Sequence, residues 1–229
     1  MAPENPRHHC SLLMPGRQEG TQRAALLAES KWIPGSRVRV RFTEGDPKLW
    51  DRVIRVAEEW TGPQLANLSF QVVEDEDADI RVAFRPGDGS WSYLGTMCRQ
   101  IPLGRPTMNY GWLTPGSTDD ELRRVVLHEF GHAIGLIHEH QNPDHPISWN
   151  RAAVIAELSG APNHWDRETI EHNIFHRYDP AAVLSTPVDA GSIMMSAIPA
   201  SWTTDGFSTE LNRDLSDTDR RLIRDAYPW

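Results

Sequence analysis

The stretch His128–Glu139, which reads HEFGHAIGLIHE, decides both the fold and the chemistry of this chain. Inside a helix, residues four positions apart lie on one face, one turn above the other. His128 and His132 therefore aim two imidazole rings at a single point. Glu129 follows the first histidine directly, so its carboxylate lies beside that point and can contact a water held there without being a ligand.

A glycine marks the place where this helix has to end. Gly135 tolerates the left-handed backbone that terminates helices, and the resulting turn brings His138 back to the same point as a third ligand. Three neutral imidazoles and one position left for water form the catalytic type of zinc site, not the closed structural type. The sequence therefore predicts a catalytic Zn2+ held by His128, His132 and His138.

The residues before the first histidine predict a helix start. Thr118 as N-cap with Glu121 three residues later is a capping-box pattern, and we expect a helix from about 119 to 136. Five fixed positions at about one in twenty each give a chance match on the order of 10^-4 in a chain of this length. The alternative is a histidine-rich amphipathic helix that binds no metal.

With these residues in view, the chain resembles the metzincin zinc peptidases, and Glu139 after the third histidine resembles their astacin branch. Ser192–Ser196 is similar to the metzincin Met-turn, which implies that Met194 forms the floor beneath the zinc. The resemblance covers about residues 31 to 229. It implies an α+β, zincin-like fold: a twisted, mainly antiparallel mixed sheet, an active-site helix, and an irregular lower lobe with short helices.

Length and composition favour one catalytic domain. We expect an N-terminal extension over 1–30, regulatory or disordered, and a domain over 31–229 with an upper lobe (31–137) and a lower lobe (138–229). The net charge of −9 argues against a nucleic-acid partner, and no apolar run has the length of a membrane span. The start of the chain lacks a signal-peptide core, which predicts a cytoplasmic protein, or a secreted one after leader removal.

Periodicity predicts the order of the elements. Arg37–Phe42 alternates as a half-buried strand, and Pro47 begins an amphipathic helix. Further strands are expected at 68–72, 80–84 and 107–113, and short helices at 21–30, 149–158 and 166–175. Gly89–Gly95 fits either a segment at the sheet edge or a surface loop. Ser216 is the expected N-cap of a closing helix.

The resemblance also implies how a substrate is held. In metzincins an extended peptide pairs with the edge strand of the sheet, and 107–113 is the matching stretch because it directly precedes the active helix. The expected substrate-binding residues are Thr107, Met108, Asn109 and Tyr110.

The N-terminal segment carries one of only two cysteines, Cys10 and Cys98, so no disulfide framework is expected. In mature astacins the new N-terminal amine lies near the glutamate that corresponds to Glu139, but this chain begins far upstream of its first strand. Cys10 is a candidate to cap the zinc as a thiolate, which would make the segment inhibitory. The alternative is a disordered tail.

These features predict a zinc-dependent metalloendopeptidase in which Glu129 takes the proton of a zinc-bound water, with a peptide or protein as substrate. Two alternatives stay open: a processing peptidase dedicated to one partner peptide, and a catalytically weak binding module with a zinc fold. Astacins also carry a tyrosine after the Met-turn methionine that reaches the zinc. Met195 and Ser196 stand there instead, so we expect that ligand to be missing.

Overall fold

The computed structural model describes residues 8–15, 30–143, 146–179 and 188–229. The predicted helix at 21–30 lies outside these residues, apart from Ser30. The strands are β1 (Ser11–Leu13), β2 (Arg37–Phe42), β3 (Ser69–Val72), β4 (Ile80–Ala83), β5 (Ser90–Tyr93) and β6 (Met108–Tyr110). The helices are α1 (Pro47–Ala57), α2 (Asp119–Ala133), α3 (Arg151–Leu158), α4 (Arg167–Ile170) and α5 (Asp217–Ala226).

The strands form one mixed sheet in the order β1-β5-β6-β4-β2-β3. The pairs β1–β5, β2–β3, β2–β4 and β4–β6 are parallel, and only β5 and β6 pair antiparallel. The expectation of a mainly antiparallel sheet is therefore wrong. Long crossovers explain the difference, because α1 lies between β2 and β3 in the chain and a connection of that length allows parallel pairing.

Strand β6 lies inside the sheet, between β5 and β4, and not at its edge. The side chain of Asn109 is committed to the protein itself: its Oδ1 accepts from the Arg85 amide at 2.8 Å and its Nδ2 donates to the Gly89 carbonyl at 2.6 Å. The prediction that a substrate pairs with this strand is therefore wrong, because both of its edges are occupied. The four residues proposed for that role are all buried, namely Thr107, Met108, Asn109 and Tyr110.

Helix α1 packs against α2, the helix that carries the first two histidines, and so joins α2 to the hydrophobic core. Asp46 caps α1 by accepting from the Lys48 amide at 2.8 Å, and Pro47 takes the first helical position, as predicted. The fully buried Trp60 follows in a short 3-10 turn, and its indole N–H donates to the Leu127 carbonyl at 2.9 Å. This bond fixes α2 one residue before the first histidine of the motif.

The lower lobe has a separate hydrophobic cluster built from α3, α4 and the chain after the Met-turn. Asp166 caps α4, which continues into a π-helical turn over Glu171–Phe175, so the predicted helix at 166–175 is present as two pieces. Ser216 is the N-cap of α5, as predicted, and Asp219 completes a capping box with it. None of the helices in the described ranges combines the length and the apolar character that crossing a bilayer requires.

Candidate metal and catalytic site

Helix α2 carries the first two histidines of the motif into the interior. Thr118 is its N-cap and accepts from the Glu121 amide at 3.3 Å. Acidic residues fill the first turn, where a carboxylate interacts favourably with the positive end of the helix dipole. Every residue from Val125 to Ala133 is buried, so the histidines lie in a dry environment.

The end of α2 turns the chain back toward the histidines, as the glycine predicted. Gly135 has φ of +100°, a left-handed conformation that a residue with a side chain adopts only with strain. The Leu136 amide donates to the Gly131 carbonyl at 2.9 Å, which closes the helix end. Because the helix stops at Ala133, His138 lies beside its last turn.

The three histidines converge on one point. One ring nitrogen from each of His128, His132 and His138 lies within 4.8 Å of the others, and the Nε2 atoms of His132 and His138 are 3.2 Å apart. The Nδ1 atoms of His128 and His132 contact the carbonyl oxygens of Ile193 and Leu136 at 2.9 and 2.8 Å. An Nδ1–H donated to a carbonyl leaves the Nε2 lone pair for a metal.

The protonation states favour metal binding as well. Burial lowers the pKa of His128 to about 4, and it lowers the pKa of His132 and His138 well below the usual value. Neutral imidazoles are the form that binds zinc.

Buried polar atoms ordinarily have hydrogen-bond partners. Among the described residues, Nε2 of His128 has none, which fits a ring placed to hold a metal.

The side chain of Glu129 lies in the interior, directly after the first histidine of the motif. It is completely buried next to the histidines, and burial raises its pKa to about 8. It is not one of the three residues whose ligand atoms converge. Its carboxylate can therefore exchange a proton with a water at the site without being tied to the metal.

The Met194 side chain packs against Gly131, between the first two histidines of the motif. A side chain at Gly131 would bring a Cβ within 2.4 Å of the Met194 sulfur, so glycine is needed for this close approach. Met195 packs in the lower-lobe cluster instead, and Ser196 lines the cleft near Cys10 and His128. The importance of Gly131 was not predicted, because nothing in the local sequence indicates which residue packs against it.

A buried carboxylate of α5 holds the Met-turn in place. Asp219 accepts from the Ser192 hydroxyl at 2.7 Å, from the Ile193 amide at 2.9 Å and from the Ser216 amide at 2.9 Å. The Ile193 carbonyl in turn contacts His128. Sequence reasoning missed this role, because the bonds join Asp219 to residues 26 and 27 positions earlier in the chain.

Glu139 has partners in this form of the chain. Its Oε1 accepts from the Asp189 amide at 3.0 Å and from Nδ2 of Asn142 at 3.3 Å, and its own amide donates to the Met194 carbonyl at 3.0 Å. Burial raises the pKa of Glu139 to about 7. The residue therefore links the third histidine to the Met-turn.

The N-terminal segment, residues 8–13, lies across the cleft. β1 pairs with β5 in parallel, with Leu12 opposite Ser92. On the other side, the Leu12 amide donates to Oδ1 of Asn173 at 2.8 Å. Cys10 faces the carboxylate of Glu129, and burial, followed by that carboxylate, raises the pKa of its thiol. This part of the extension is not a disordered tail, although the thiol is not among the three converging ligands.

Comparison with known proteins identifies the family. The model of the peptidase family described as Astacin matches residues 27–227. The chain belongs to the astacin family. The zinc metalloproteinase dpy-31 of Brugia malayi is 30% identical over 144 residues, which are 54% of this chain and 22% of that protein. The astacin chain described here thus spans about a fifth of the length of that curated relative.

Solved structures agree with this assignment. Two structures of myroilysin match with TM-scores of 0.84 and 0.71 at 40% and 37% identity, covering 89% and 96% of this chain and 98% and 90% of theirs. High choriolytic enzyme 1, a hatching enzyme zinc-protease from Oryzias latipes, matches with a TM-score of 0.58 at 19% identity over 87% of this chain and 95% of its own, a likeness of fold alone. The predicted astacin resemblance, the α+β zincin fold and the class of zinc metalloendopeptidase are confirmed.

Proposed function

We propose that this astacin is a zinc-dependent endopeptidase in which His128, His132 and His138 hold the metal and Glu129 is the catalytic base. The observation that carries the proposal is the convergence of three buried ring nitrogens beside a buried carboxylate. Zinc in such a site supplies Lewis acidity and lowers the pKa of water from about 16 toward about 7.

The residues around the site then have separate roles in the reaction. Glu129 accepts the proton of the attacking water and passes it to the leaving amine, because it lies beside the ligands and is not one of them. The carbonyl oxygens of Ile193 and Leu136 fix the ring orientations of His128 and His132. Met194 supports the ligands from below, at the distance that Gly131 allows.

A test of this function measures metal and hydrolysis together. We expect about one zinc per chain, as one open site with three histidines implies. We also expect cleavage of denatured casein that stops with a chelator and returns with zinc. A protein that holds stoichiometric zinc and cleaves no peptide would instead be a binding module with a zinc fold.

We infer further that the N-terminal segment keeps the enzyme latent, with Cys10 as a candidate zinc-capping thiolate. Support comes from the position of the segment, which fills the cleft in front of Glu129 and occupies the edge of β5 where a substrate strand would pair. A substrate and the segment need the same place, so only one of them binds at a time. This proposal replaces β6 with β5 as the strand that a substrate contacts.

Replacement of Cys10 tests the latency. Cys10→Ser should raise the activity on a fluorogenic peptide at least about tenfold, which corresponds to about 1.4 kcal/mol of lost docking free energy. Deletion of residues 1–20 should raise it further. Cys98→Ala is the matched control, because Cys98 is buried in the upper-lobe core and should leave the latency unchanged. Equal activities of the Cys10→Ser and natural chains would contradict a role for the thiol.

The residue after the Met-turn methionines gives a separate prediction. Ser196 lines the cleft but is too short to replace the family tyrosine. A single oxyanion donor contributes about 3 kcal/mol, or roughly a hundredfold in rate. We expect Ser196→Tyr, made together with Cys10→Ser, to keep its zinc and to hydrolyse generic peptides faster. An equal or slower rate in a folded, zinc-loaded protein would mean that another group stabilises the oxyanion.

The range of substrates and the location of the enzyme belong to the same proposal. A peptide or protein substrate follows from the family, and a random peptide library distinguishes a general endopeptidase from one dedicated to a single partner. The cytoplasmic location expected from the sequence has no support from the family, whose members are typically secreted, and we infer secretion instead. The absence of a nucleic-acid partner stays a prediction.

A further inference from the structure

The residue before Cys10 occupies an aromatic pocket in the wall of the lower lobe. The imidazole ring of His9 stacks on Trp202 with a centroid distance of 5.0 Å and an interplanar angle of 25°. It also meets Trp165 edge-on, at 6.3 Å and 67°. Only 7% of His9 is exposed, so the pocket encloses almost the whole side chain.

The lower lobe itself holds this pocket in shape. Trp202 is fully buried, and its indole N–H donates to a carboxylate oxygen of Glu157 at 2.6 Å. The Trp165 amide donates to the Leu158 carbonyl at 2.9 Å, at the end of α3. Bonds within the lower lobe therefore hold the Trp202 ring and the backbone of Trp165.

The pocket receives the side chain of the residue that directly precedes Cys10 in the sequence. Cys10 faces Glu129, so the side chain next to it in the chain enters the pocket. The backbone is held there as well, since the His9 amide donates to Oδ1 of Asn163 at 3.0 Å. A substrate peptide could replace the segment with its scissile bond next to the Glu129 carboxylate. The side chain flanking that bond would then enter the pocket that His9 occupies.

We propose that Trp165 and Trp202 form a specificity pocket that selects peptides with an aromatic side chain next to the scissile bond. This inference rests on the proposed peptidase function. One indole ring stacked on the occupant and a second one at a steep angle to it form a slot for a flat ring, because aromatic rings favour stacked and edge-to-face arrangements. A charged side chain would lose its hydration there without gaining a partner ion.

The test uses the full chain with His9→Ala and Cys10→Ser, so that neither the imidazole in the pocket nor the thiol facing Glu129 remains. Fluorogenic peptides differ only at the residues flanking the cleaved bond: phenylalanine, leucine, alanine or aspartate. We expect kcat/KM for the phenylalanine peptide to exceed that of the alanine peptide about tenfold to a hundredfold. Adding Trp165→Ala should reduce this ratio several-fold, with zinc content unchanged.

Control variants distinguish the loss of the pocket from a general loss of structure. Trp229→Ala removes an exposed tryptophan and should leave the ratio unchanged. In the otherwise natural chain, His9→Phe should preserve latency, whereas His9→Asp should release it. Cleavage without aromatic preference, or an undiminished ratio in Trp165→Ala, would overturn the pocket while the peptidase function stands. Zinc binding without any cleavage in the starting variant would overturn both.

Discussion

Glu129→Ala should retain zinc and lose nearly all hydrolysis. The side chain is buried beside the three histidines but supplies no ligand atom to their group, so its removal leaves the metal-binding nitrogens in place. General base catalysis typically contributes about 10^2 to 10^4 in rate, and we expect a loss of that size. Steady-state kinetics in the Cys10→Ser background, together with metal analysis, measure both quantities.

Two further variants complete this experiment. Asp120→Asn changes an exposed carboxylate on the same helix and should leave the rate unchanged. The Asp120 carboxylate forms an ion pair with Arg213 at the surface. His132→Ala should lose zinc and activity together. Normal peptide cleavage by a zinc-loaded Glu129→Ala protein would exclude this residue as the base.

Asp219→Ala should destabilise the fold by about 3 kcal/mol or more. The substitution leaves three donors without their acceptor: the Ser192 hydroxyl and the amides of Ile193 and Ser216. A hydrogen bond to a charged group contributes about 1.5–3 kcal/mol, and a buried donor left unsatisfied costs a similar amount. Denaturant unfolding measures the change, and zinc affinity should fall with it, since Ile193 orients His128.

The neighbouring Asp217 supplies the matched control. It lies in the same first helical turn but is exposed, so Asp217→Ala should cost only about 0.3–1 kcal/mol through the helix dipole. If both variants lost equal stability, the carboxylate of Asp219 would act only as part of the helix cap. The role in holding the Met-turn would then be wrong.

The sequence predicted the centre of the molecule well, because the relevant signals are local. The spacing from His128 to His138 and the glycine between them contain the whole geometry of the convergence. The caps at Thr118 and Ser216 were equally readable, since a cap involves residues three positions apart. The start of α1 at Pro47 and the strand Arg37–Phe42 were found for the same reason.

The features that the sequence analysis predicted wrongly or missed depend on contacts between distant parts of the chain. Alternation indicates that Met108–Tyr110 is a strand, but it contains no information about which strands lie on either side. The close approach of Met194 to Gly131 and the bonds from Asp219 to Ser192 and Ile193 also join distant residues. Parallel pairing escaped prediction likewise, because it depends on the path of each crossover between strands.

The parallel pairing of β1 with β5 also concerns the solubility of the enzyme. An unpaired strand at the border of a sheet offers its amides and carbonyls to any other chain and promotes aggregation. Residues 11–13 cover that border of β5. Removal of the segment would expose this border, so we expect a chain without it to self-associate at high concentration, whereas the full chain stays dispersed. The segment would then keep the protein dispersed in addition to covering its cleft.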